Sequence, residues 1–189
     1  MMNKLKEATT QLHEDIEKDN LAGLIMSHNI TEDEYKLLLL QNYVAYKVTE
    51  GALVRKLSDY AGDKTLRLQE DLINLNIDTS IAKEYLNKFI VTNKAEALGA
   101  AYVVEGSSLG GMMIARELKN CKALSHINTH HFFNGDRGNV KSWNSFSKTL
   151  KQEIFTPLEE IQAIDKAKET FQFFGEVFNT VKLPEKTEL

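Results

Sequence analysis

Apolar residues in this chain recur mostly at three- and four-residue intervals, the spacing of one face of an α-helix. Tyr35, Leu38, Leu39, Tyr46, Leu53 and Leu57 follow it and predict a helix running to about Asp59. Thr31-Glu32-Asp33-Glu34 opens that helix as a capping box, with Thr31 as N-cap and Glu34 reaching back to it. Thr156-Pro157-Leu158-Glu159 is a second box, with proline at the favoured first position. Beyond it, Phe171, Phe174, Phe178 and Val181 mark one face of a closing helix. Further helices are predicted at about residues 3–18, 65–75, 80–92, 94–120 and 138–152. The only prolines, Pro157 and Pro184, sit near segment ends and leave the long stretches uninterrupted. Ala61-Gly62-Asp63 and Asn134-Gly135-Asp136-Arg137-Gly138 read as turns. Alternating β-branched runs are essentially absent. The pattern predicts an all-α protein with a single domain over residues 1–189.

Composition agrees with a globular domain. The chain has 189 residues, 42% of them hydrophobic and 26% charged. A chain of this length buries roughly 70% of its unfolded surface. The net charge of −4 argues against nucleic acid or a membrane surface as a general partner. A single cysteine, Cys121, excludes a disulfide framework and any multi-cysteine metal site. The longest apolar run, around Ala97 to Val104, is short of the ~20 residues that span a bilayer. With no apolar signal core at the amino terminus, a cytoplasmic location is expected.

Two local features carry candidate chemistry. His13 lies with Leu5, Ala8, Thr9, Leu12 and Ile16 on or near the apolar face of the first helix. One reading is a core histidine satisfied by a hydrogen bond; the other is a metal ligand. Glu17, four residues on, shares its face and fits the carboxylate partner that metal-bound histidines usually have. Lys6 lies two turns back on that face, placed either for solvent or for an anionic ligand edge. The other histidines have no metal-ligand spacing: His130 and His131 are adjacent, and His28 and His126 stand apart.

The second feature is Tyr102-Val103-Val104-Glu105-Gly106-Ser107-Ser108-Leu109-Gly110-Gly111, within the predicted 94–120 helix. Three glycines in a helix interior cost roughly 2–3 kcal/mol relative to alanine. Gly106 and Gly110 share a face, where bare backbone serves either a close helix–helix contact or a flat ligand.

Taken together, these motifs resemble those of the bacterial-type haem oxygenases. Leu5-Lys6-Glu7-Ala8-Thr9 with His13 and Glu17 is similar to the family's proximal helix, and residues 102–111 to its distal helix. Phe132-Phe133-Asn134-Gly135 and Trp143-x-x-Phe146 resemble the loop and helix that follow. The resemblance implies a helical bundle with haem between a proximal and a kinked distal helix. It implies that haem is both cofactor and substrate, cleaved with O₂ and reducing electrons to biliverdin, Fe²⁺ and CO. It further implies His13 as iron ligand, Glu17 as its partner, and Gly106 and Gly110 as the distal glycines where the kinked helix lies over the porphyrin. Lys6, Tyr102 and Lys148 fall on positions that contact the propionates. Ser107 stands where some members carry an aspartate that anchors catalytic water, so with Gly106 and Gly110 it completes the expected catalytic set. Met112-Met113 and Asn144 stand where many relatives are more polar or basic.

No nucleotide-binding glycine loop is present, so electrons are expected from a partner such as a ferredoxin or a flavin reductase. Arg116, Lys119 and Lys122 form either its docking patch or a helix end that favours cations. Three rival readings remain at the level of sequence. One is a haem-binding sensor or carrier without turnover. Another is a thiaminase-like hydrolase on a related scaffold, which needs a nucleophilic cysteine. The third is a di-iron oxygenase, for which Glu50 and Glu105 lack the Glu-x-x-His pairs.

Overall fold

A computed structural model describes residues 1–18 and 20–184; the last five residues of the expected domain lie outside them. Among the described residues every regular element is helical: α1 (Met2–Lys18), α2 (Ala22–Met26), α3 (Glu32–Val54), α4 (Lys64–Asn74), α5 (Lys94–Leu118), α6 (Gly138–Gln152) and α7 (Pro157–Thr180). Two 3₁₀ turns, Ser80–Tyr85 and Lys122–Leu124, flank α5.

Both predicted capping boxes form. The Thr31 hydroxyl accepts from the Glu34 amide at 3.2 Å, and the Glu34 carboxylate accepts from the Thr31 amide at 2.8 Å. Thr156 and Glu159 repeat the exchange at 3.3 and 2.8 Å. The two boxes set the starts of two of the three long helices that build the core. Leu39, Val44 and Leu53 of α3 and Val177 of α7 are fully buried. A smaller apolar cluster, with Leu5, Leu98, Leu150 and Phe171, seats α1 on α5, α6 and α7.

Gly99 fixes how closely α5 and α7 approach. A Cβ there would lie 2.0 Å from the Ala163 carbonyl oxygen, so only glycine permits this crossing. α5 is also the one described helix long and apolar enough to cross a membrane. Here that length packs against α7 and α6.

The elements differ from the sequence pattern in three places. α3 ends at Val54 rather than near Asp59, and Leu57 packs on the core from the connection that follows. Only Ser80–Tyr85 of the expected 80–92 helix is helical, as 3₁₀. Phe89 and Val91 are nevertheless buried, so their spacing reflects packing rather than helix. α2 is five residues long, too short to show a period.

Candidate functional site

α1 and α5 form two walls of a cavity of about 950 Å³. Lys6, Thr9, His13 and Glu17 line it from α1, and Tyr102, Gly106, Ser107 and Gly110 from α5. Tyr46 and Asn42 of α3, Lys64 and Arg67 of α4, Ser142 and Trp143 of α6, and Phe174 of α7 add further lining. The fold therefore brings together seven of the eight residues singled out in the sequence. Lys148 is exposed on α6 and is not among the lining residues.

His13 is not a core histidine: its side chain is 55% exposed and opens on the cavity. Phe171 meets the imidazole edge-on, with ring centroids 5.7 Å apart and planes at 87°. Glu17 Oε2 lies 3.7 Å from His13 Nδ1, a proximity longer than a hydrogen bond. Nε2 has no partner among the described residues, so the nitrogen turned from the carboxylate is the one available to a ligand. Lys6 likewise has no ion-pair partner among the described residues.

The glycines of α5 separate into two kinds. Gly99 serves helix packing. At Gly110 and Gly111 a Cβ would meet nothing within 4 Å, and at Gly106 only the Trp143 ring at 3.6 Å. Tight helix contact therefore does not explain the cavity glycines; they leave bare backbone beside open space. Tyr102 packs on Trp143 with ring centroids 5.9 Å apart, and burial raises its phenol pKa while the Thr9 hydroxyl opposes the shift. Ser107 donates to the Val104 carbonyl at 2.8 Å and lies beside the buried Tyr46 phenol. Met113 is exposed at the cavity rim.

Sequence reasoning missed a buried polar knot behind α5. Glu105, 4% exposed, accepts from Ser142 Oγ at 2.9 Å, Tyr60 Oη at 3.0 Å and Lys64 Nζ at 3.1 Å. Burial, followed by the charge of Glu105, drives the Tyr60 phenol well above its ordinary value. Glu50 accepts from the backbone amides of Lys64 and Thr65 at 3.2 and 2.9 Å, capping α4 from α3 where Asp63 makes no cap. Arg67 reaches across to Asn139 at 2.6 Å, tying α4 to the start of α6. The available signal was a lone carboxylate inside the most apolar stretch of the chain.

Cys121 is remote from this chemistry. It is buried, its thiol pKa is raised by burial, and it is not among the cavity-lining residues. A thiaminase-like nucleophile is thus not placed at the cavity.

An all-helical fold whose first helix presents a histidine across a cavity from bare glycine backbone defines a narrow class of protein. The family model for haem oxygenase matches residues 1–180, and the chain belongs to that family. It is 34% identical over 84 residues to a haem oxygenase of Xanthomonas campestris pv. campestris (strain 8004). That match spans 44% of this chain and half the length of the relative. In fold the chain is similar to the NO- and CO-bound haem oxygenase from Neisseria meningitidis, at a TM-score of 0.67 and 22% identity. That likeness covers 99% of this chain and 98% of the other.

Proposed function

We propose that the chain is a single-domain, cytoplasmic haem oxygenase that binds haem between α1 and α5 and cleaves it with O₂ and supplied electrons to biliverdin, Fe²⁺ and CO. The observation that carries this reading is the open space beside Gly110 and Gly111 in a cavity that His13 lines from another wall. The volume of about 950 Å³ is at the upper end for small-molecule sites and suits a flat ligand of haem size. Bound haem supplies both the iron that activates O₂ and the ring that is opened.

The chain's own residues do the rest. His13 Nε2 would hold the haem iron, and the identity of that ligand is one of the main levers on O₂ chemistry at haem. Glu17 faces Nδ1 and biases the tautomer that leaves Nε2 free. Gly106 and Gly110 let backbone approach the ring plane. α5 offers no carboxylate or amine to the cavity, only the hydroxyls of Tyr102, Ser107 and Ser108. Lys6 and Tyr102 hold the propionates from the walls, with Lys148 acting from α6; charge-assisted contacts are the stronger sort. Arg116, Lys119 and Lys122, close to the end of α5, are the docking patch for an acidic electron donor.

Titration of the purified protein with hemin tests the reading. A Soret band that is lost or strongly altered in His13→Ala supports it, and an unchanged spectrum and affinity defeat the ligand assignment. Adding O₂ with ascorbate or a ferredoxin system then separates enzyme from carrier. Decay of the Soret band with biliverdin appearing is the expected outcome; a stable spectrum identifies a carrier.

A further inference from the structure

Glu105 immediately precedes the first cavity glycine, yet it is buried and does not line the cavity. Two of the three groups it binds, Ser142 and Lys64, do line it. This arrangement determines what the wall offers. A serine hydroxyl carries one proton and two lone pairs. Ser142 has committed its proton to Glu105 at 2.9 Å, and Ser107 has committed its own to the Val104 carbonyl at 2.8 Å. Ser107 is taken up by the Val104 carbonyl and the Tyr46 phenol, so it is Ser142 that presents lone pairs, and no proton, to the cavity on the side where the neighbouring Trp143 ring meets Gly106. A water seated there is held by one of its own protons and keeps the other for a neighbour.

We propose that Ser142, oriented by Glu105, anchors the water beside Gly106, in place of the carboxylate that this chain replaces with Ser107. Ser142 is the group that touches the water. Glu105 is a positioning residue, acting through Ser142 and tying α6 to α5 and α4 at the same time. Lys64 spends one of its three ammonium protons on the same carboxylate, so the knot remains charge-paired when the cavity is filled.

The inference rests on the haem oxygenase reading, and its test is chosen to separate the two. The water that Ser142 would hold is the one at the iron, and in the ferric haem-loaded protein the visible spectrum reports its ionisation. A water is a stronger hydrogen-bond donor than hydroxide, so an acceptor in the wall favours the water form. Ser142→Ala is expected to raise that ionisation constant about fivefold, the worth of one ordinary hydrogen bond, moving the transition to lower pH. Turnover with ascorbate is expected to slow about tenfold or more, while hemin affinity stays within about threefold. Ser142→Thr keeps the hydroxyl and is expected to restore the wild-type transition. Glu105→Gln is expected to shift the transition in the same direction as Ser142→Ala, and the double variant no further than Ser142→Ala alone, as for two residues acting through one contact.

An unmoved transition in Ser142→Ala with hemin bound overturns this inference and leaves the haem oxygenase reading intact. A Glu105→Gln effect that adds to that of Ser142→Ala also overturns it, assigning the effect to the buried charge. A wild type that binds no hemin overturns both. Ser142→Ala removes only one cavity-facing hydroxyl, so it decides the matter even where Glu105→Gln fails to fold.

Discussion

At Gly99 and Gly110 the same residue type, eleven positions apart on one helix, has opposite consequences. Gly99 faces the Ala163 backbone, and Gly99→Ala is expected to destabilise the fold by about 3 kcal/mol through overpacking against atoms that cannot turn aside. Gly110 faces open space. Gly110→Ala is expected to stabilise the ligand-free protein by roughly 0.5–1 kcal/mol, because the helix regains a better former at no steric cost. Gly110→Leu fills the space and is expected to lower hemin affinity at least about tenfold without unfolding the chain. Urea denaturation and hemin titration on the three variants check all of this. A Gly110→Leu variant with wild-type hemin affinity defeats the assignment of that space. Sequence alone could not sort these glycines, since helical spacing reveals a shared face but not what stands opposite it.

At the scale of the element, capping sets where helices begin, and it couples stability to pH. The carboxyls of Glu34 and Glu159 are held below their ordinary value of 4.5, chiefly by the backbone amides of Thr31 and Thr156. A carboxyl depressed in the folded state contributes stability above its unfolded pKa and loses it as pH falls through the folded value. Both boxes are thus complete at neutral pH and come apart below about pH 4.5. Thr31→Ala and Thr156→Ala are each expected to cost about 1 kcal/mol at pH 7, additively, since the boxes share no partner. In Glu34→Gln/Glu159→Gln the fall in stability between pH 5 and pH 3 is expected to be shallower than in wild type. Chemical denaturation across that range checks both. The caps were legible because their chemistry is local, four residues long. The end of α3 was not, because Val54 to Asp59 stays helically spaced while the chain turns to bring Tyr60 and Lys64 to Glu105.

For the molecule as a whole, the cavity lies between elements far apart in the chain, and α1 borders it while packing mainly on α7. A ligand that joins α1 to α5 stabilises the folded state by mass action and tightens the weaker of the two walls. Hydrogen exchange is expected to show hemin slowing the amides of α1 and of residues 106–111, with residues 68–74 of α4 and the first half of α7 little changed. Uniform protection across all helices, or none in α1, contradicts this placement. By itself the sequence determined the helical class, both capping boxes, the proximal and distal motifs and the family they resemble, because each is written in residues within a few turns of one another. Only the tertiary structure decided that His13 opens on a cavity instead of the core, that Gly99 packs while Gly110 faces space, that Lys148 stands off the cavity wall, and that Glu105 holds Ser142. Those facts depend on which helix face meets which, and that is fixed by the packing of residues 37 to 156 positions apart, which no local spacing encodes.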